Sequence, residues 1–426
     1  MTVIDLGAPG SSPVGSARAR RRWDPRIAVR WAAAAEALLC VAVLGGSARP
    51  ASIVTRPAWS VPIGPTSLMA ASADTVFVVP AAGVSDVTAY DLRSGAVRWS
   101  TWVPTAHGRM VAQPPGALMV PVGRDGGAAT VALDLRTGEQ LWRVAGDLID
   151  ATPETALLAG PDATVRRVRM ADGATIWSRP VDGAASWTIT GHDLRWGRIV
   201  AARADGLVRT LRLVDGIPLV QRRLPNDLDV SAGNVGTVAG VVYVNRMETD
   251  RAVVTGYDLG TLDPRWRFAQ ASSDALPEGP AARTCGVVIC FRDGTSTVGL
   301  DPGSATVRWR VAGWVDATRT ADRSRLLADS PDREWHALID SATGRIVAEL
   351  GAGTAVWNYE HSTPTYYLRV LGSAEPGVLA SRLNLQTGRL EPRGVLGEVG
   401  FPGCIAVGDH LICGTTDGHL AVTDLG

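Results

Sequence analysis

The residues with the most chemical potential in this chain are five cysteines and six histidines. Cys285 and Cys290 bound the segment CGVVIC, Cys404 and Cys413 bound CIAVGDHLIC, and Cys40 stands apart. Paired thiols either ligate zinc or form disulfides. Zinc sites favour C-x2-C pairs joined by further Cys or His, and neither pair has that spacing. The disulfide reading has a geometric basis. Gly408-Asp409 reads as a two-residue hairpin turn, which sets Val407 opposite His410 and Cys404 opposite Cys413, within bonding reach. Cys285 and Cys290 would flank a four-residue hairpin loop in the same way. Two disulfides are therefore expected, and with them an oxidising, extracytoplasmic compartment.

The histidines offer less. His107, His192, His336, His361, His410 and His419 include no two at ligand spacing. No G-x-S-x-G, H-E-x-x-H or Gly-rich phosphate loop occurs. All 42 basic residues are arginine, so every mechanism that needs a lysine is excluded. Asp-Gly pairs at Asp125, Asp172, Asp182, Asp205, Asp215, Asp293 and Asp417 lack the D-x-D-x-D-G pattern of calcium loops and read as turns. Catalytic residues, cofactor-binding residues and metal ligands are all expected to be absent. The 42 acidic residues balance the basic ones, which argues against a nucleic-acid partner.

The N-terminus bears on location. Residues 1–30 form a basic tail without apolar periodicity, with Arg18, Arg20, Arg21, Arg22, Arg26 and Arg30 against Asp24. Residues 31–48 (WAAAAEALLCVAVLGGSA) form an apolar stretch at the short end of what spans a bilayer. Glu36 is the blemish, costing about 2.5–3.5 kcal/mol at a helix centre, but it lies near one end. A cleaved signal peptide and a buried helix are the competing readings. A signal anchor is preferred, with the tail cytoplasmic by the positive-inside rule. Residues 49–56 then serve as a linker, and 57–426 lie outside the membrane.

The elements that position these residues come from one repeat. TAYDLRSGAVRW places Asp91, Gly95 and Trp99, and VALDLRTGEQLW places Asp134, Gly138 and Trp142. Further copies carry Gly173 and Trp177; Gly216 and Val220; Asp258 and Trp266; Asp301 and Trp309; Asp340 and Gly344; Asn384 and Gly388; and finally Asp424. The spacing is about 42 residues, the length of one four-stranded propeller blade. Each unit reads as an inner hairpin, a strand ending in Asp and a strand bearing Trp. Asp is expected to hold the turn by accepting from its backbone amides, and Trp to cover the neighbouring blade. The last unit lacks a fourth strand, and PAWSV carries a lone Trp59. The N-terminal strand is thus expected to complete the last blade, removing two open sheet edges. Tryptophans outside the repeat slot (Trp187, Trp196, Trp314, Trp335 and Trp357) read as core or rim packing.

This A-x-D-x-x-T-G-x-x-x-W repeat resembles the PQQ-binding-like β-propeller repeat of quinoprotein alcohol dehydrogenases and of the outer-membrane assembly lipoprotein. The resemblance covers about residues 57–426. It implies an all-β fold, a single propeller of four-stranded antiparallel blades, behind one transmembrane helix. Eight blades are typical of the family, and nine are counted here. The family's dehydrogenases carry adjacent cysteines beside the quinone and acidic plus Asn ligands for calcium. This chain has no vicinal cysteines, so no activity is carried over to any residue. The expected function is a non-enzymatic, membrane-anchored scaffold that binds a protein or envelope component through one propeller face. The alternative is a divergent PQQ- and calcium-dependent dehydrogenase or a ligand sensor.

Overall fold

A computed structural model describes residues 54–426 apart from 65–66, 80–85, 105, 107, 114–115, 124–126, 182–183, 191–196, 225–234, 249–250, 272–281, 321–322, 359–362 and 373–376. The proposed anchor at 31–48 lies outside the described residues. Among the described residues, no helix is long and apolar enough to cross a membrane.

The chain forms nine four-stranded antiparallel blades. In chain order, blade 1 spans Leu68–Trp102, blade 2 Val111–Ala145, blade 3 Asp147–Pro180, blade 4 Ala184–Arg223 and blade 5 Val235–Ala271. Blade 6 spans Ala282–Ala312, blade 7 Val315–Ala352 and blade 8 Thr354–Leu396. Blade 9 takes three strands from Val399–Asp424 and its outermost strand from Trp59–Pro62. Trp59 lies opposite Val422 and Pro62 opposite His419, so the N-terminal strand completes the last blade. A single parallel bridge between Asn358 and Ala406 also links the innermost strands of blades 8 and 9.

Burial follows position in the blade. The second strand of blade 1, Thr75–Val79, is buried at every residue. The outermost strand, Val97–Trp102, buries only Trp99 fully. Inner strands are covered on both faces by neighbouring blades and carry near-continuous apolar runs, whereas rim strands meet water between blades.

The repeat residues explain how blades adhere. The Asp91 carboxylate accepts from the amides of Arg93 and Ser94 at 3.2 and 2.9 Å, closing the turn before the outer strand. Asp134, Asp258, Asp301 and Asp340 do the same, as does Asn384 in blade 8. The Arg98 guanidinium beside Asp91, aided by the Ser94 amide, holds that carboxyl well below the usual carboxylate range. The indole of each slot tryptophan then reaches the next blade. Trp99 donates to Leu135 O, Trp142 to Met170 O, Trp177 to Leu213 O, Trp266 to Pro302 O and Trp309 to Ser341 O. For Trp99, Trp142, Trp177 and Trp309 the ring lies on the turn glycine of the next blade. A methyl group at Gly138 would sit 2.5 Å from Trp99, and Gly138 has φ +73°. In blade 6 the same turn position, in the turn that Trp266 reaches, is Ala305 at φ +57°.

Candidate functional site

One disulfide matches the sequence geometry and the other differs in detail. Cys404 and Cys413 are bonded and directly opposite, with Val407 opposite His410. Cys285 and Cys290 are also bonded, but their hairpin is tighter than a four-residue loop. Cys285 pairs with Val288 and Cys290 with Arg283, because Gly286 at φ +68° makes a two-residue turn. The bond therefore runs diagonally across the ladder. His107, His192, His361 and Trp196 lie outside the described residues. His410 occupies the blade 9 hairpin, and His419 Nδ1 faces Asp417 at 3.4 Å. Trp314 is buried, Trp187 and Trp357 are half-buried, and Trp335 is exposed.

The strongest polar assembly joins blades 6, 7 and 8. It lies at the blade ends where second strands turn into third strands. Asp316, in the innermost strand of blade 7, receives three guanidiniums. Arg283 approaches at 3.5 Å, Arg292 at 3.1 Å and Arg333 at 3.4 Å. Arg283 and Arg292 come from blade 6, and Arg333 from the loop after the second strand of blade 7. Asp316 and Arg333 both adopt left-handed backbone conformations, φ +49° and +61°. Non-glycine residues there cost about 1–3 kcal/mol each and cluster at functional sites. The buried Nε of Arg292 has no hydrogen-bond partner among the described residues.

Asp329, His336 and Tyr367 extend this assembly outward. Burial, reinforced by the charge of Asp316, pushes the Asp329 carboxyl up to about 6. Burial also lowers the pKa of His336. The Tyr367 hydroxyl donates to Gly351 O at 2.5 Å, so its oxygen accepts from His336 Nδ1–H at 3.0 Å. The remaining imidazole nitrogen, Nε2, then turns its lone pair toward Asp329 Oδ1, 3.4 Å away.

The sequence points to two residues of this neighbourhood, His336, which has no partner at ligand spacing, and Trp335, which reads as core or rim packing and is 49% exposed. Asp316, Asp329, Tyr367 and the three arginines belong to no shared motif. Strand pairing within blade 7 sets Asp329 opposite Val315 and His336, and the ring adds Arg283 and Arg292 from blade 6 and Tyr367 from blade 8. No group of three or more His, Cys, Asp or Glu is arranged to hold a metal among the described residues.

Residues 51–202 match the family model described as outer membrane protein assembly factor BamB. Among curated proteins, none matches the sequence. BamB from Moraxella catarrhalis is similar at 15% identity and TM-score 0.46, covering 87% of this chain and 100% of its own. The dihydro-heme d1 dehydrogenase NirN is similar at 15% identity and TM-score 0.46, covering 69% of this chain and 72% of its own. The quinohemoprotein alcohol dehydrogenase ADHIIG from Pseudomonas putida HK5 gives 12% and 0.39, covering 76% and 62%. The blade topology and turn contacts carry the fold assignment by themselves. Residues 51–202 match that family model and nine four-stranded blades close into a ring, so the chain is a β-propeller with PQQ-like repeats.

Proposed function

We propose that the protein is a non-enzymatic binding module, held at the cell membrane by residues 31–48 with its propeller outside the cytoplasm. The blade 6–8 face would engage a protein or envelope component. The observation that carries this reading is the left-handed Asp316 held by Arg283, Arg292 and Arg333. Asp316 and Arg292 are largely buried, and of the three arginines Arg333 is the most exposed. An exposed ion pair stabilises a fold by only about 0–1 kcal/mol, so the Arg333 arm costs little to turn toward a partner. A rigid ring presenting loops suits recognition, and the matched model describes an assembly factor.

The fit to a calcium-held quinone is poor. The cysteines are bonded at sequence separations of 5 and 9, so none is vicinal. The described carboxylates do not gather into a metal set. No step through that cofactor is assigned.

Affinity capture from envelope extracts with the full chain tests the binding reading. A partner should be recovered by the wild type and lost with Arg283→Ala/Arg333→Ala. Recovery of nothing above an unrelated propeller overturns it, as would dye-linked dehydrogenase activity after loading with PQQ and calcium. For location, alkaline carbonate should leave the chain in the membrane pellet. Its release defeats the anchor.

A further inference from the structure

A row of apolar residues crosses the end of blade 8. Val370, the last residue of its second strand, lies opposite Val378, and Val378 lies opposite Leu396. The adjacent Val395 is bridged by Val54. Val378 and Leu396 are buried, but the two ends of the row are open, with Val370 78% and Val54 72% exposed. On the blade 7 side, the ring of Trp335 and the guanidinium of Arg369 both lie over Gly351. Arg369 donates to Leu350 O at 2.8 Å, and Trp335 is 49% exposed. Arg333, two residues before Trp335, is also exposed.

Chain order supplies the occupant. Only residues 49–53 separate the apolar stretch 31–48 from Val54, and five extended residues span under about 18 Å. We propose that this end of blades 7 and 8 rests on a phospholipid surface, an inference that builds on the anchor reading above. Val54, Val370 and Trp335 enter the headgroup region, and Arg369 pairs with lipid phosphate. Tryptophan favours that interface because its ring is amphipathic, and guanidinium matches phosphate geometry. Asp332 and Glu334 share the loop with Arg333. Contact therefore depends on phosphate and acyl-glycerol groups, and zwitterionic lipid suffices.

The test uses the full chain in phosphatidylcholine vesicles doped with a phospholipid that carries a diazirine near its glycerol. After irradiation, adducts are mapped by mass spectrometry. Adducts are expected at 333–335, at 369–371 and within 31–48. Trp335→Ser/Val370→Asp should reduce the loop adducts about fivefold or more, as expected when apolar insertion is removed, with those in 31–48 and the melting midpoint unchanged. Adducts confined to 31–48 overturn the surface and keep the anchor. Adducts at the loops without any in 31–48 support the surface and overturn the anchor. Adducts in neither place overturn both, and equal labelling of the opposite turns, such as 91–96, overturns the surface.

Discussion

The indole Nε1 of Trp59 donates a 2.8 Å hydrogen bond to the carbonyl of Leu92. Trp59 belongs to the outermost strand of blade 9, and Leu92 to the turn of blade 1. The same contact recurs between Trp99 and Leu135 and between Trp309 and Ser341. The seam where the ring closes is therefore built like the interfaces within it. The contact carries burial of an indole and satisfaction of a buried carbonyl at once.

Trp59→Ala should destabilise the propeller by about 3 kcal/mol, the lower range for loss of a large aromatic. Trp59→Phe keeps most of the apolar contact and loses the hydrogen bond, at about 1 kcal/mol. Urea unfolding midpoints check the order. Equal losses for the two variants would mean that the ring contributes nothing beyond its N–H.

The interface between blades 4 and 5 solves the same packing problem with different residues. Val220 occupies the tryptophan slot, and Leu262, at φ +58°, occupies the glycine slot. Leu262 is fully buried, and Val220 packs against its cluster. The small outer residue leaves room for a large turn residue. Val220→Trp alone should overpack, and Leu262→Gly alone should leave a cavity. Combining them should recover about 1–3 kcal/mol relative to the sum of the single changes. A double-mutant cycle that closes to zero refutes this exchange of volume.

Stability should respond to pH through Asp329 and His336 with opposite signs. The Asp329 carboxyl titrates at about 6 in the fold against 3.8 for a free carboxyl. Between those values the folded state binds more protons, so stability falls as pH rises. His336 has a pKa lowered from 6.5, so its contribution falls as pH drops below that value. Asp329→Asn removes the first effect and keeps the second. The variant should gain on the wild type from pH 4 to pH 7 in urea titrations, and parallel curves for the two proteins would rule out the assigned burial of this carboxyl.

Reduction should weaken blade 9 first. The Cys404–Cys413 bond ties the innermost strand to its neighbour across a separation of 9 residues, against 5 for Cys285–Cys290. Loop-closure arguments assign a larger effect to the longer loop. Cys404→Ser/Cys413→Ser should cost about 2 kcal/mol, read as a lower melting midpoint that dithiothreitol does not lower as far as in the wild type. A midpoint equal to that of oxidised wild type would show that the bond is dispensable.

The tryptophan slot, the Asp turn and the Thr-Gly spacing determined the blade by themselves. These contacts repeat at a fixed period and lie within a blade or between sequential blades, so sequence order already encodes them. Ring closure was legible for the same reason, since Trp59 and the unpaired last strand are two halves of one repeat. Tertiary structure alone decided two things. Leu262 and Val220 stand 42 positions apart in separate copies of the repeat, and only packing shows that one replaces the volume of the other. Asp316, Asp329 and Arg333 lie in blade 7, Arg283 and Arg292 in blade 6 and Tyr367 in blade 8, with no common spacing. Their meeting depends on how blades 6, 7 and 8 are set around the ring. No local pattern records that arrangement, because each side chain is ordinary in its own strand, and the perturbed proton of Asp329 exists only where burial and the charge of Asp316 coincide.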